Sequence, residues 1–287
     1  MNTIVIRNCR IFFRNKRGVL SSMFAALVVI ILYIFFLGDK MKQGFPDMPD
    51  LDYLLNSWVM SGFIGIASMT TTLGMSSLMI RDREGGNLKD FLCSPMKSYQ
   101  LTGGYTLSVY VIGVIMTLFT LAISEVYIVF KGGSLLDIVS LTEIIGVIIL
   151  TVLASSAMIF FVVSLFRRSD TFHTAGSIIA PLMGFLTGIY IPIGSLPPIA
   201  QMVVKVFPIS HGTVLMRQIM MKDAMSKAFV STPANTVLEI KQELGVNFQY
   251  GNVSDSVWLH ILVLLGTVIV FYGLATLIKV NKKNKFN

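Results

Sequence analysis

Six stretches of mostly apolar residues recur along the chain, and they constrain the fold more than any other feature. A helix needs about 20 residues to cross the roughly 30 Å hydrocarbon core of a bilayer, because each residue advances it by about 1.5 Å. The stretches that reach this length are 19–37, 59–80, 107–130, 144–166, 175–193 and 257–278. The sequence therefore predicts an all-α integral membrane protein with six transmembrane helices.

Composition excludes a disordered chain and argues against an ordinary soluble domain. Hydrophobic residues make up 54% of the chain and charged residues 13%, and the mean hydropathy is +0.74. A disordered chain is less apolar than this, and an ordinary soluble domain carries more charge. The first apolar stretch is also longer than the apolar core of a signal peptide, which spans about 7 to 15 residues, and no Ala-x-Ala site follows it. We expect it to be retained as a transmembrane helix.

The distribution of basic residues predicts the orientation in the membrane. Of the 23 Lys and Arg residues, 15 lie before the first stretch, between stretches two and three, between stretches four and five, or after the sixth. Such an excess marks the cytoplasmic side, so both termini are predicted to be cytoplasmic. The net charge of +8 then indicates attraction to anionic lipid rather than to nucleic acid. Cys9 and Cys93 would face the reducing side, and no disulfide is expected.

Residues 1–18 combine apolar and basic side chains in a way that suits a membrane surface. Ile4, Ile11 and Phe12 are interleaved with Arg7 and Arg10, which gives a helix one apolar face and a basic rim. This pattern predicts an interfacial helix. The alternative is an unstructured basic leader that serves only to set the topology.

Polar and small residues within the apolar stretches are expected to have structural roles. Glu125, Glu143 and His260 lie near the predicted outer ends of their stretches, where we expect hydration at the interface rather than burial. Small residues recur at helical spacing in the second stretch and predict close helix packing inside the bundle. They are Ser61, Gly65, Thr70 and Gly74.

Several motifs that would indicate enzymatic chemistry are missing from the sequence. There is no Gly-x-x-x-x-Gly-Lys-Ser/Thr phosphate loop and no Gly-x-Gly-x-x-Gly, so the chain is not expected to bind and hydrolyse nucleotide alone. There is no His-Glu-x-x-His or Cys-x-x-Cys run for a metal, and no Gly-x-Ser-x-Gly for a nucleophile. We predict no catalytic, cofactor-binding or metal-binding residues. A membrane-embedded enzyme that assembles its site from separate helices remains an alternative.

The predicted cytoplasmic loop 81–95 carries a short amphipathic pattern. Leu88, Phe91 and Leu92 follow one another at i, i+3 and i+4, and this spacing places them on one face of a helix. Pro95 ends that helix because it disfavours the α conformation of the residue before it. The apolar face must rest on lipid, on the bundle itself or in a groove of a partner protein.

Prolines divide the segment 185–211 into short pieces. Pro192, Pro197, Pro198 and Pro208 each remove a backbone donor and interrupt a helix. A break at membrane depth is tolerated where the freed backbone groups are covered by protein or face water. The pattern predicts two short helices that dip into the outer leaflet. An apolar stripe on the second piece suits packing between spans, and its residues are Ile199, Met202, Val203 and Val206.

Both segments resemble those of type-2 ABC exporter permeases, the ABC-2 family of type V exporters. The loop matches the family pattern at Glu84, Gly86, Leu88, Phe91, Leu92, Ser94 and Pro95. Asn87 and Lys89 stand where the family usually has Thr and Glu. The proline-rich segment matches at Gly188, Pro192, Leu196, Pro197, Pro208 and Ser210.

The resemblance implies roles for these residues and a set of partners. The loop corresponds to a cytoplasmic coupling helix that docks on an ATPase subunit, which assigns ATPase coupling to Glu84, Gly86, Leu88, Phe91, Leu92 and Pro95. The second segment corresponds to an outer re-entrant helical hairpin at the gate, formed by Gly188, Pro192, Leu196, Pro197 and Pro208. The implied partners are two copies of a cytoplasmic ABC ATPase, which would bind ATP and Mg²⁺, and a second permease subunit. The implied location is the bacterial plasma membrane.

These inferences define one transmembrane domain over residues 1–287. Its predicted parts are the interfacial helix 1–18, five spans in 19–193, the outer hairpin and loop 194–256, the sixth span 257–278 and the basic tail 279–287. The predicted function is ATP-driven export of an amphipathic drug, peptide or lipid-like substrate. Alternatives are a polysaccharide or teichoic-acid exporter of the same family, a membrane enzyme and a non-transporting immunity or scaffold protein. Residues 212–256 receive no role beyond a possible short helix at 237–244.

Overall fold

The computed structural model describes residues 1–46, 48–87, 98–230, 232–250 and 255–284. Within these ranges the chain is helical, with no β-strand. Four helices are long and apolar enough to cross a membrane, over Leu51–Glu84, Tyr99–Phe130, Ile138–Leu165 and Val257–Leu277. The remaining helices are shorter.

The helices follow one another with short connections. In chain order they are α1 (Asn2–Arg14), α2 (Lys16–Leu32), α3 (Gly38–Lys42), α4 (Leu51–Glu84), α5 (Ser98–Phe130), α6 (Ile138–Leu165), α7 (Ser169–Leu186), α8 (Pro198–Val206), α9 (Pro208–Met220), α10 (Lys222–Ala228), α11 (Ala234–Glu243) and α12 (Val257–Asn284). A π-helical turn, Tyr33–Leu37, joins α2 to α3, and a 3₁₀ turn, Ile193–Ser195, lies between α7 and α8.

The prediction of six spans is not confirmed, because two of the predicted stretches lie in shorter helices. The stretch 19–37 is divided between α2, which has 17 residues, and the π-helical turn that follows it. The stretch 175–193 lies partly in α7, which ends at Leu186. The first half of α7 is polar, with Asp170 and His173 among its residues, and this lowers its mean hydropathy.

Helix α4 forms the centre of the bundle. It is buried around most of its circumference, with Ser and Thr side chains among the buried residues, and it packs against α2, α3, α5, α6, α7, α9 and α10. Leu54, Leu55 and Trp58 are completely buried. Gly65 packs so closely on α9 that an added Cβ would lie 2.3 Å from Thr213 Oγ1. The predicted close packing along this helix is confirmed at that position.

Prolines and a glycine shape the segment after α7. Gly188 turns the chain with a φ of 66°, a conformation that favours glycine because it has no Cβ. Pro198 and Pro208 occupy the first positions of α8 and α9, where the missing N–H has no helical partner to lose. The two helices meet at 88°. The predicted division of 185–211 into short helices is confirmed, and α11 corresponds to the possible helix at 237–244.

The two ends of the bundle carry different elements. Residues at the start of α4 contact α10 and the turn after α11, whereas residues at its end contact α1. We call the first the hairpin end, defined by residues 186–250, and the second the α1 end, defined by residues 1–14 and 81–87.

Candidate functional site

Asp82 organises the α1 end of the bundle. Its side chain is buried near the end of α4, and it accepts hydrogen bonds from Arg7 Nη1 at 2.7 Å, Tyr105 Oη at 2.5 Å and Asn87 Nδ2 at 3.2 Å. A buried carboxylate requires such donors, since its desolvation is otherwise unfavourable. Asn8 of α1 adds a hydrogen bond to Ser108 Oγ at 3.0 Å. These contacts hold α1 against α4 and α5.

Glu84 connects the end of α4 to the start of α7. Its carboxylate accepts hydrogen bonds from the backbone N–H of Ser169, at 3.1 Å, and from the Ser169 hydroxyl. A carboxylate is favourable there because the first N–H groups of a helix lack partners within the helix. Arg83 Nη1 donates to the carbonyl of Phe166 at 3.2 Å. The predicted coupling residue Glu84 therefore caps a helix that is distant in sequence.

The predicted coupling helix falls mostly outside the described residues. Gly86 is described, and it turns the chain with a φ of 81° directly after α4. Asp82 and Glu84 hold the end of α4, which directly precedes Gly86. Four predicted coupling residues lie in 88–97, which the structure does not describe: Leu88, Phe91, Leu92 and Pro95.

Arg217 is the central residue of the hairpin end. It is fully buried in α9, and its guanidinium donates to the carbonyls of Thr187 at 2.9 Å, Gly188 at 3.1 Å and Gly245 at 3.3 Å. The guanidinium also lies 5.0 Å from the ring centroid of Trp58, a distance typical of a cation–π contact. One side chain thus joins the turn after α7, the turn after α11 and the start of α4.

Trp58 makes a second connection between α4 and the hairpin end. Its indole Nε1 donates to the carbonyl of Leu244 at 2.6 Å. Neither Trp58 nor Arg217 was identified as a site residue from the sequence. The sequence held one signal for Arg217: it is a charged residue in a mostly apolar segment that follows Pro208, and a buried charge needs partners.

The predicted gate residues lie together in the hairpin end. Gly188 supplies the turn after α7, Pro192 precedes the 3₁₀ turn, and Leu196 packs on Ile193 and Val204. Pro197 is the N-cap residue of α8, and Pro208 is the first residue of α9.

Asp223 anchors α10 to the same end. Its Oδ2 accepts hydrogen bonds from Lys227 Nζ at 2.8 Å, Tyr53 Oη at 3.1 Å and Ser134 Oγ. The hydrogen bond from Lys227, with further help from Ser134 and Tyr53, holds the pKa of Asp223 below its usual value. The contacts join α10 to α4 and to the loop between α5 and α6.

The expectation that Glu125 is hydrated is wrong. Its side chain is buried, and Oε2 accepts a hydrogen bond from the backbone N–H of Leu136 at 3.1 Å. The carboxylate satisfies a backbone donor in the loop between α5 and α6, which explains its position. The same expectation is wrong for His260, which is completely buried, whereas Glu143 is exposed.

A cleft of about 600 Å³ runs along one side of α4, between α2 and α7. Its lining extends from Arg81 at the α1 end to Tyr190 at the hairpin end. Most of the lining between them is apolar and includes Phe24, Leu73 and Ala180. Such a cleft suits an apolar or amphipathic molecule. In the part of the chain that the structure describes, no group of three or more His, Cys, Asp or Glu side chains is arranged to hold a metal ion.

The long apolar helices and the lengthwise cleft define a class, a multi-pass helical membrane protein. The sequence comparison then gives the family. A family model described as "ABC-2 family transporter protein" matches residues 43–277, so the chain belongs to the ABC-2 family of transporter proteins and is a transporter membrane subunit. No curated protein matches the chain. The matched region contains the loop after α4 and the whole hairpin end, whereas α1 and α2 precede it.

Proposed function

We propose that this chain is the permease subunit of an ATP-driven exporter for an amphipathic drug, peptide or lipid-like substrate. The family match over 43–277 is the observation that carries the proposal. The sequence has no phosphate loop, so the energy must come from a separate ATPase. Two copies of that ATPase would bind ATP and Mg²⁺, and a second permease subunit would complete the transporter.

In this proposal the chain crosses the bacterial plasma membrane six times. The first crossing is α2 with its π-helical continuation into α3, and the fifth is α7. The α1 end faces the cytoplasm, because 15 of the 23 basic residues lie on that side of the predicted topology. The hairpin end then faces outward, and α8 with the start of α9 dips into the outer leaflet.

The coupling mechanism is mechanical. The ATPase pair closes on ATP and pushes on the face formed by Leu88, Phe91 and Leu92. The movement reaches the bundle at the end of α4, where Asp82 holds α1 and α5 and Glu84 holds α7. Since α4 packs against several other helices, a displacement of its end would be transmitted to the cleft and to the hairpin end.

The cleft favours an amphipathic substrate over a polysaccharide. Its volume of about 600 Å³ lies in the range of drug-sized ligand sites, and its walls are mainly apolar. A polysaccharide exporter would instead need a wide path with stacked aromatic rings. Polysaccharide or teichoic-acid export remains the second candidate, since the family match does not specify a substrate.

The test replaces Leu88 and Phe91 with Asp in the full-length chain. We expect the double variant to lose both association with the ATPase and transport, because two charges on the docking face cannot enter an apolar groove without a desolvation penalty. Leu135→Asp is the matched control, since this exposed leucine lies between α5 and α6, away from the proposed docking face.

Unchanged association and transport in the double variant would refute the coupling role. Failure to co-purify any ATPase with the wild-type chain would favour a scaffold or immunity protein. Turnover of a substrate by the purified chain without nucleotide would favour a membrane enzyme.

A further inference from the structure

The cleft between α2 and α7 carries a positive charge at one end. Arg81 of α4 is the one Lys or Arg side chain among the described residues that line the cleft, and no Asp or Glu is found among them. Arg81 is exposed. The walls that the structure describes therefore contain no carboxylate that would neutralise this arginine.

The guanidinium of Arg81 keeps most of its capacity for hydrogen bonds. An arginine has five N–H donors, and in the described part of the chain this side chain makes a single hydrogen bond, from Nη2 to Ser77 Oγ at 3.4 Å. The carboxylates at this end of the bundle have other partners: Asp82 contacts Arg7, Glu84 contacts Ser169, and Asp170 contacts Arg168. An anion can therefore bind Arg81 without displacing an ion pair.

Two further donors line the cleft at the same end. Glu84 holds the start of α7 against the end of α4, which places His173, in the second turn of α7, at the end where Arg81 lies. The other donor is Asn15, between α1 and α2, whose Oδ1 accepts a hydrogen bond from the N–H of Gly18 at 3.1 Å. Its Nδ2 is then the donor of the amide. An imidazole and an amide can both donate to the oxygen atoms of an anion.

Exposed basic side chains adjoin this end of the cleft. Asn15 is flanked in the sequence by Arg14, Lys16 and Arg17, and all three are exposed. A cluster of charges of one sign raises the local concentration of molecules of the opposite sign. An anionic headgroup is therefore attracted to the end of the cleft where Arg81 can bind it, and a cationic headgroup is repelled.

The rest of the cleft makes few polar demands on an occupant. Three Ser and Thr side chains line it, those of Thr70, Ser77 and Ser177, and each donates to a backbone carbonyl of its own helix. Their hydroxyl groups therefore need no hydrogen bond from a bound molecule. The apolar side chains of the lining include Phe24, Val28, Leu73, Leu78, Ala180 and Pro181.

The dimensions of the cleft match one apolar chain that spans a single leaflet. The part of α4 that lines the cleft runs from Thr70 to Arg81, which is about 16 Å at about 1.5 Å per residue. The hydrocarbon core of a bilayer is about 30 Å thick, so this length is close to the depth of one leaflet. The volume of about 600 Å³ is typical of sites for drug-sized ligands.

We propose that the occupant of the cleft is an amphiphile with one anionic headgroup, a phosphate or a carboxylate, and a single apolar chain. Arg81 binds the headgroup, because its planar guanidinium suits the oxygen atoms of either group. His173 and Asn15 donate further hydrogen bonds, and the chain lies along Ala180 toward Tyr190. The inference rests on the proposed function only in treating the occupant as the exported substrate, because binding itself requires neither ATPase nor nucleotide.

Photoaffinity labelling measures the preference for an anion. The full-length chain is placed in nanodiscs of phosphatidylcholine, which has no net charge, and labelled with dodecyl phosphate that carries a photoreactive diazirine in its chain. The corresponding dodecanol and dodecyltrimethylammonium are the uncharged and cationic probes. At equal mole fraction in the membrane, we expect the phosphate to label the residues that line the cleft about tenfold more than the other two, the effect of a charge-assisted hydrogen bond. Equal labelling by the three probes, or labelling by the phosphate mainly outside the cleft, would overturn the proposal.

Arg81→Gln tests the residue that selects the headgroup. We expect labelling by the phosphate probe to fall about tenfold, because the amide has no charge to offer, and labelling by dodecanol to stay unchanged. Arg168→Gln is the matched control, since it removes the same charge from an exposed arginine that does not line the cleft. No loss in Arg81→Gln, the same loss in both variants, or a parallel loss of dodecanol labelling would refute the role of Arg81.

Ala180→Trp tests where the apolar chain lies. An indole at this position occupies part of the cleft, so labelling by both the phosphate and dodecanol should decrease. Undiminished labelling by the phosphate would place its chain elsewhere and would overturn the proposal.

Two further measurements identify the source of the anion and separate this inference from the proposed function. With part of the phosphatidylcholine replaced by phosphatidylglycerol, an anionic lipid with two chains, we expect labelling by the phosphate probe to persist. Its loss would assign the cleft to membrane lipid and overturn the single-chain class. The Leu88→Asp, Phe91→Asp variant should be labelled as the wild type is. Selective labelling of a chain that co-purifies with no ATPase would contradict the exporter alone, and transport without selective labelling would contradict this inference alone.

Discussion

At the residue scale, a few buried polar side chains connect parts of the chain that are far apart in sequence. Arg217 is the clearest case, since three carbonyls and one aromatic ring surround a charge that has no carboxylate among its observed partners. Carbonyl oxygens and a π face together replace part of the water that the guanidinium loses on burial. The side chain is therefore a structural joint, and its removal should affect several turns at once.

Replacing Arg217 with Met should destabilise the protein. The substitution keeps most of the apolar volume but leaves the carbonyls of Thr187, Gly188 and Gly245 without their donor, which should cost about 2 to 4 kcal/mol. Thermal unfolding of the purified protein in detergent measures the loss. Arg168→Met is the control, since this exposed arginine should change stability by less than about 0.5 kcal/mol. Equal effects of the two substitutions would contradict the role of Arg217.

The lowered pKa of Asp223 predicts how acid affects the hairpin end. A carboxylate whose pKa is lower in the folded state stabilises that state above its ordinary pKa of 3.8, and the contribution disappears as the pH falls through the lowered value. Asp223→Asn should therefore make the acid dependence of the unfolding temperature shallower below about pH 4, with a small effect because the group is half exposed. If the unfolding temperatures of wild type and variant changed with pH in parallel between about pH 2.5 and 7, this prediction would be refuted.

At the scale of elements, α4 is held at both ends and along its length. The Asp82 contacts at its end fasten α1, and close packing at Gly65 brings α9 against its middle. The contacts at the end of α4 depend on the carboxylate of Asp82, and the packing on α9 depends on a glycine at position 65, which has no Cβ. Both can be tested by single substitutions.

Asp82→Asn should loosen α1. The amide cannot balance the charge of Arg7, and we expect a loss of about 1 to 3 kcal/mol, because Arg7 remains partly exposed. In a Cys93→Ser background, the half-buried Cys9 of α1 reports the change, and its thiol should react several-fold faster in the variant. Asp170→Asn, which breaks an exposed ion pair with Arg168, is the control. An unchanged thiol rate in Asp82→Asn would show that α1 is held by its apolar contacts alone.

Gly65→Ala should separate α4 from α9. The new methyl group would lie 2.3 Å from Thr213 Oγ1, so one helix must move, at a cost of about 1 to 3 kcal/mol. Gly146→Ala on α6 is the matched control, since nothing lies within 4 Å of its Cβ position and alanine favours a helix. Thermal unfolding should give opposite signs for the two variants. A stabilised Gly65→Ala protein would contradict the packing.

At the scale of the whole molecule, the cleft is bounded by both ends of the bundle. Arg81 and Tyr190 mark its limits, and α4 forms its inner wall. The part of α4 that lines the cleft is 70–81, so a displacement at the Arg81 end of the helix acts on the cleft wall directly. The proposed coupling mechanism needs such an arrangement, because it requires a rigid element between the docking face for the ATPase and the cleft.

Filling the cleft should reduce transport without unfolding the protein. In Ala180→Trp an indole would occupy part of the space between α7 and α2, and we expect transport to fall at least about tenfold if the cleft is the path. The unfolding temperature should change little, since the added volume enters an open cleft. Ile269→Trp, at an exposed position of α12, should leave transport intact. Full transport in Ala180→Trp would place the substrate elsewhere.

The long spans and the proline breaks could be predicted from the sequence, because they depend on neighbouring residues. The apolar stretches 59–80, 107–130 and 257–278 lie within long helices, the stretch 144–166 does so up to Leu165, and Pro198 and Pro208 begin short helices. The first and fifth stretches were less predictable: a π-helical turn follows α2, and α7 begins with polar residues. The number of apolar residues in a stretch does not show where a helix within it is interrupted.

The sequence by itself determined that this chain is helical, apolar and divided by prolines, since each of those properties follows from local chemistry. Only the tertiary structure decided which polar groups meet. His211 and His260 are 49 residues apart, and Arg7 and Asp82 are 75 apart. Such pairs form because helix packing brings buried polar atoms within reach of one another, and an unpaired one would be costly. The spacing of apolar and polar residues along the sequence carries no information about which distant group a buried polar atom will contact.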